Sequence, residues 1–240
     1  MKISILTLFP NLISNYISES IIKRAILKNK VELEVIDIRE HTTYDHKQVD
    51  DYQFGGGAGM LLMIEPVVRA LNSIKTKESF TILTSPQGVT LNNYISRELS
   101  IKHKHIILIC GHYEGIDARI MNYVDMELSI GDYVITGGEL SSLVIADSII
   151  RLIDGVIAKE SHENDSFENN LLDYDSYTKP VEFDGHKVPE VLISGHHKNI
   201  NNFRRESQLK NTFNKRNDLL KKAKLSSEDQ MIIEKLKRGE

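Results

Sequence analysis

The chain has 240 residues, 40% of them apolar and 27% charged, a profile that suits a soluble protein with one large domain or a main domain and an appendage. Its apolar runs fall well short of the ~20 residues a membrane span needs, and the single cysteine, Cys110, excludes a disulfide framework or a cysteine-based metal cluster. The net charge of −4 is uneven: from Gly185 onward there are 13 Lys and Arg against 7 Asp and Glu, and before it 17 against 27, so a basic end that suits a polyanionic partner follows an acidic body.

MKISILTLFPNL has an apolar run of only seven residues, with Pro10 close behind and no small-residue cleavage site. It reads as a first buried strand, Lys2–Leu8, and not as a secretory signal, so a cytoplasmic location is expected. The four-residue spacing of Leu12, Tyr16, Ile13, Ile17 and Ile21 predicts one amphipathic helix over 11–28. VELEVIDI (31–38) predicts a second strand. The polar, glycine-rich segment 41–60 is too long for a simple connector and marks a functional loop. Pro66 then sits near the start of a third helix, and strands follow at 80–86 and 105–110, with a helix around 91–100 between them. Continuous apolar strands separated by helices imply an α/β fold, a parallel sheet covered on both faces.

The stretch from Leu128 to Ile153 is the centre of the design. Val134 and Ile135 predict a short strand ending at Thr136. Gly137 and Gly138 allow a tight turn and close approach to a ligand, and Glu139 opens an apolar helix at its positive end. Residues 158–180 are polar with few apolar anchors and read as a linker or lid. From about Pro189 the chain is basic and helical, and Ser226-x-x-Asp229 predicts the capped start of a last helix.

Three predicted strands end in polar or glycine turns, at 84–88, 110–117 and 129–138. Ligands of α/β sheets bind beyond the carboxyl ends of strands, so convergence of these turns would make a cofactor pocket built largely of main chain. There is no GxxxxGK[ST] and no GxGxxG after a strand, which argues against a triphosphate or dinucleotide. Asp165 is the candidate general base, although a solvated aspartate capping a turn is the blander reading. Arg151, inside an apolar helix, needs a carboxylate or a ligand; Asp147 on the same helix is one such partner. The histidines lack metal-ligand spacing.

FGGGAGM, SPQG, CGHYEGID, SIGDYVITGGEL, DSF, LLDYDSYTKP and VPEVLISGHH occur in this order, and together they resemble the bacterial tRNA (guanine-N1)-methyltransferases of TrmD type over nearly the whole chain. The resemblance implies the SPOUT superfamily. That means a parallel sheet with helices on both faces, a C-terminal trefoil knot that no periodicity could show, and a small helical C-terminal domain. The domains would be 1–157, knotted and cofactor-binding; 158–180, a flexible linker or lid; and 181–240, basic, helical and tRNA-binding. The implied reaction moves a methyl group from S-adenosylmethionine to N1 of the guanosine at tRNA position 37, in a homodimer whose sites are shared between subunits. Mg2+ is a candidate second cofactor.

By position, the resemblance assigns the cofactor to Ser85, Pro86, Gln87, Gly111, Ile130, Gly131, Asp132, Tyr133, Val134, Ile135, Gly137, Gly138 and Leu140. Asp165 becomes the base and Arg151 the arginine assisting it. Asp50, Gly55, Gly59, Glu114, Ser161 and Asp173 fall at substrate positions, and the basic Arg204 and Arg205 are candidate tRNA contacts. The chain departs from the pattern at His112, where arginine is usual, at Ser176, where histidine is usual, and at Lys179, which keeps a charge but loses the arginine fork. Alternatives are another SPOUT RNA methyltransferase, or a non-catalytic RNA-binding protein on the same scaffold.

Overall fold

The computed structural model describes residues 1–158 and 165–239, and the chain divides into two compact units, Met1–Ala158 and the remainder. The first unit runs in the order β1 (Lys2–Thr7), α1 (Pro10–Ile17), α2 (Ser20–Leu27), β2 (Glu32–Asp37), the two-residue β3 (Asp50–Asp51) and β4 (Leu61–Leu62), and α3 (Ile64–Ile74). It continues through β5 (Ser79–Thr90), α4 (Asn93–Lys102), β6 (His105–Ile109), β7 (Met126–Ser129) and α5 (Gly138–Ile150). Five strands form one parallel sheet in the order β2-β1-β6-β5-β7.

The strand HIILI explains why both sheet faces are covered. Successive side chains of a strand point to opposite faces. Ile106 and Leu108 therefore join one core with Ile3, Ile5, Ile13 and Ile149, while Ile107 and Ile109 join the other with Leu6, Leu62, Val67 and Leu71. All four residues are fully buried. Helix α5 is buried on most sides, as its near-continuous apolar sequence predicts, with Ile145, Ala146, Ile149 and Ile150 in the first core.

Three local expectations are corrected. The single helix expected over 11–28 is two helices, because Ser18 Oγ donates to the Asn15 carbonyl and Ser20 takes φ +54°, outside the helical region. Val134 and Ile135 are not strand residues: the strand lies upstream at Met126–Ser129, the chain turns away at Gly131 (φ +148°), and Val134 is 85% exposed. Their β-branched preference has no partner strand to act through. The 84–88 turn does not end its strand. Thr84 and Val89 both pair with Leu128, so residues 85–88 loop out and the strand resumes.

The second unit contains a hairpin, β8 (Glu182–Phe183) and β9 (His186–Lys187), then α6 (Glu190–Ile193), α7 (His197–Lys215), α8 (Asn217–Leu220) and α9 (Ser227–Arg238). The expected capping box is present: Ser226 accepts from the Asp229 amide and Asp229 from the Ser226 amide. Residues 171–175, expected to belong to a linker, are instead tied to α7. Leu171 is buried with Leu209 and Ile233, Leu172 N–H donates to Thr212 Oγ1 and Asp175 N–H to Ser207 Oγ. One leucine and two hydroxyl acceptors do what a longer apolar run would have advertised.

Candidate functional site

The loop-out at 85–88, the loop after β6 and the loop between β7 and α5 converge on a cleft of about 420 Å³ at the carboxyl ends of the strands. Of the thirteen residues expected to hold a cofactor, eleven line it: Ser85, Pro86, Gln87, Gly111, Ile130, Gly131, Tyr133, Val134, Ile135, Gly137 and Gly138. Asp132 and Leu140 do not, and Leu140 is 60% exposed on the outer face of α5. Glu114, expected near the substrate, is also in the wall.

The loops are shaped by short side-chain-to-backbone bonds. Ser85 Oγ accepts from the Gln87 amide at 3.1 Å, and Ser129 Oγ accepts from the Gly131 amide at 3.1 Å. The glycine pair works differently from expectation. Gly138 closes on protein, donating its N–H to the Gly111 carbonyl at 2.7 Å, and a Cβ there would lie 2.6 Å from the Gly111 nitrogen and 2.4 Å from Thr84 Oγ1. A Cβ on Gly137 would lie 2.5 Å from both Glu139 Oε2 and His112 Nδ1.

Glu139 proves to be more than a helix-dipole partner. It is 4% exposed, and its Oε1 accepts from Thr7 Oγ1 at 2.7 Å. Its Oε2 lies 3.9 Å from His112 Nδ1. The His112 ring packs against Phe9 and Tyr113, with centroids 4.8 and 5.0 Å away. Thr7 and Glu139 were not legible as site residues, because one is a strand residue 132 positions from the other.

Segment 50–62 is fastened to the cleft's rim. Tyr113 OH donates to Asp50 Oδ1 at 3.3 Å, the Glu114 amide to the Met60 carbonyl at 3.1 Å, and Leu62 N–H to the Gly115 carbonyl at 2.9 Å. Gly59 has φ +79°, and a Cβ on it would meet the Glu114 side chain at 2.5 Å. Gly55 has φ +85° in open surroundings. Arg151 caps the end of α5, its N–H on the Asp147 carbonyl at 3.1 Å. Burial holds the Asp147 carboxyl above its ordinary value, and the Arg151 charge offsets only part of that rise.

The remaining candidates lie in the second unit. The Asp165 carbonyl accepts from the Glu168 amide at 3.1 Å. The Asp173 amide donates to Ser166 Oγ at 3.0 Å. Arg204 lies over the Tyr174 ring at 4.9 Å, and Arg205 is engaged by Asp229. Ser161 lies outside the described residues. Among the described residues no group of three His, Cys, Asp or Glu could hold a metal ion, and no helix is long and apolar enough to cross a membrane.

A sequence model of the family described as tRNA (Guanine-1)-methyltransferase TrmD matches residues 1–222. A Mycoplasma capricolum protein named tRNA (guanine-N(1)-)-methyltransferase is 56% identical over 237 residues, 99% of each chain. Proteins of the same name are 56% identical over 222 residues in Ureaplasma urealyticum, covering 92% of this chain and 97% of the relative, and 48% identical over 241 residues in Fusobacterium nucleatum, covering 100% of both.

Proposed function

The chain belongs to the tRNA (guanine-1)-methyltransferase family, and from that membership we propose that it methylates N1 of the guanosine at tRNA position 37, next to the anticodon, with S-adenosylmethionine as donor and 1-methylguanosine and S-adenosylhomocysteine as products. The observation that carries the reading is the convergence of the three loops on one cleft at the strands' carboxyl ends. Its volume lies within the ~300–1,000 Å³ range of small-ligand sites, and Gly111, Gly115, Gly131, Gly137 and Gly138 in its walls carry no side chain to fill it, which fits a compact polar nucleoside donor. The residues of 85–87, Gly111, Ile130, Gly131, 133–135, Gly137 and Gly138 would hold that donor, which supplies an already activated methyl group.

Guanine N1 carries a proton at neutral pH and is a poor nucleophile until it leaves. Asp165 is the carboxylate that takes this proton. The Arg151 guanidinium stabilises negative charge on the purine or fixes the carboxylate. The rest of the work is alignment of N1 with the methyl group, for which the guanine must leave its stack. Glu114, Asp173 and the 50–59 loop are positioned by sequence to contact the flipped nucleotide and its neighbours.

The working unit is a homodimer in the cytoplasm, with each site completed by the other subunit. In support, α1 and α5 leave Leu12, Tyr16, Leu140 and Val144 each between 44 and 60% exposed, more apolar surface than one pair of helices leaves unpartnered without reason. The chain that follows β7 threads a trefoil knot, a reading that rests on the family membership. The basic C-terminal helices hold the tRNA backbone. The deciding assay is methyl transfer to a tRNA transcript with guanosine at position 37 against one with adenosine there. Equal incorporation would refute the reading.

A further inference from the structure

Among the described residues, none that lines the cleft is a lysine or an arginine: the acidic ones are Glu114 and Glu127, and His112 is the one side chain of that lining able to take a positive charge. Behind that ring stands the buried Glu139. His112 Nδ1 is fully buried and, among the described residues, is one of two buried side-chain polar atoms with no hydrogen-bond partner. It faces Glu139 Oε2 at 3.9 Å, beyond hydrogen-bond distance. Gly137 keeps the path between them open, since any Cβ there would strike both atoms.

The carboxylate is itself held. Thr7 Oγ1 accepts from the Phe9 amide at 2.8 Å, so its own hydrogen is committed to Glu139 Oε1 at 2.7 Å. This leaves Oε2 as the acceptor for the imidazole. The same turn of chain brings Phe9 against the ring, with Tyr113 on another side. Fixing one ring nitrogen on a carboxylate is how proteins set what the other nitrogen does.

We propose that Thr7, Glu139 and His112 form a positioning chain that sets the His112 imidazole in the cleft wall, so that when an anionic oxygen of the bound reactants arrives, with both ring nitrogens carrying hydrogen, Nδ1–H faces Glu139 and Nε2–H donates to that oxygen. The proposal rests on the methyl-transfer reading of this cleft. Two oxygens there share the required chemistry: the carboxylate on the amino-acid arm of the methyl donor, and guanine O6 as N1 loses its proton. Hydrogen bonds of this kind are often long until the ligand is in place, which accounts for the 3.9 Å separation. Glu139 and Thr7 act through His112 and touch no reactant.

The test compares parent, His112→Gln and His112→Arg for affinity by calorimetry and for turnover on a guanosine-37 transcript. The probes are S-adenosylhomocysteine and methylthioadenosine, which lacks the amino-acid arm. His112→Gln should lose about tenfold or more in one measurement, and His112→Arg should restore it, as expected for a charge-assisted hydrogen bond. A loss for S-adenosylhomocysteine but not methylthioadenosine assigns the donor carboxylate. A loss of kcat alone assigns guanine O6. His112→Gln matching the parent in both overturns the proposal.

Glu139→Gln, or Thr7→Val should the first not fold, tests the chain behind the ring. Added to His112→Gln, either should bring no further loss in the affected parameter; a fully additive loss would show that the carboxylate does not act through His112. A parent enzyme that leaves the transcript unmethylated would sink the methyl-transfer reading, while the two binding measurements would still report on His112.

Discussion

Arg205 and Asp229 meet as a two-pronged ion pair, Nε on Oδ1 and Nη2 on Oδ2, both at 2.8 Å. Asp229 is also the third residue of the α9 capping box, so one carboxylate serves a helix start and a helix-to-helix clamp. The Arg205 hydrogen bonds, aided by the Ser226 amide, hold its carboxyl down at about 2 against the effect of burial. A depressed carboxyl contributes stability that is complete above the unfolded value of ~3.9 and is lost as pH falls through the folded one. The second unit should therefore lose about 2 kcal/mol between roughly pH 4 and pH 2 from this group. Asp229→Asn should remove most of that dependence and lower stability by about 2 kcal/mol at neutral pH. Urea titrations followed by circular dichroism at several pH values check it; parallel curves for parent and variant would contradict it.

Gly138 is governed by backbone and not by ligand. A Cβ there would lie 2.6 Å from the Gly111 nitrogen and 2.7 Å from the Cys110 Cα, atoms that cannot swing aside. Gly138→Ala should therefore destabilise the fold itself by about 1–3 kcal/mol, the usual effect of overpacking, before any donor is added. Thermal melts without ligand read this directly. An unchanged melting temperature with weakened S-adenosylhomocysteine binding would return the glycine to the role its sequence first suggested.

How far the sequence carries can be judged from such cases. HIILI could be read as a doubly covered strand because burial on both faces leaves no polar alternation. The break in the 11–28 stretch does not show in its pattern because a periodic apolar stripe survives it: Ile13 and Ile22 share one core across it. Asp184-Gly185, with φ +50° and +78°, forms the two-residue hairpin turn that a Asp-Gly pair often signals, yet its short strands Glu182–Phe183 and His186–Lys187 carry no run to announce them. In the cleft, the loop residues were legible because they sit together in the chain. Thr7 and Glu139 were not, since only parallel strand order and the placement of α5 bring them together.

Asp165 lies outside the three cleft loops in sequence, and its proposed task is proton removal rather than donor binding. Asp165→Asn keeps size and polarity but cannot accept the proton. Turnover at saturating tRNA should fall by ~10²–10⁴, the usual contribution of a general base, with S-adenosylhomocysteine affinity changed little. Single-turnover methylation at parental rate in the variant would remove Asp165 from the mechanism.

The basic end should bind the tRNA backbone through those cations that the fold does not consume. Arg205 is committed to Asp229, and Arg216 to Asp218 at 2.8 and 2.9 Å. Lys198, Arg204 and Lys215 are exposed on α7, with Arg204 braced over the Tyr174 ring at 4.9 Å. Each phosphate neutralised releases counterions and adds ~0.7–0.9 to the slope of log affinity against log salt. Replacing Lys198, Arg204 and Lys215 by alanine should lower that slope by about 2 and weaken tRNA binding at moderate salt, with no change in S-adenosylhomocysteine affinity. Arg205→Lys keeps the charge and loses the fork, so it should lower the stability of the second unit and leave the slope as it was. Filter-binding titrations across a salt series separate the two. If the triple variant kept the parental slope, the tRNA would be held elsewhere, and the 41–60 loop at the cleft's rim would become the next surface to test.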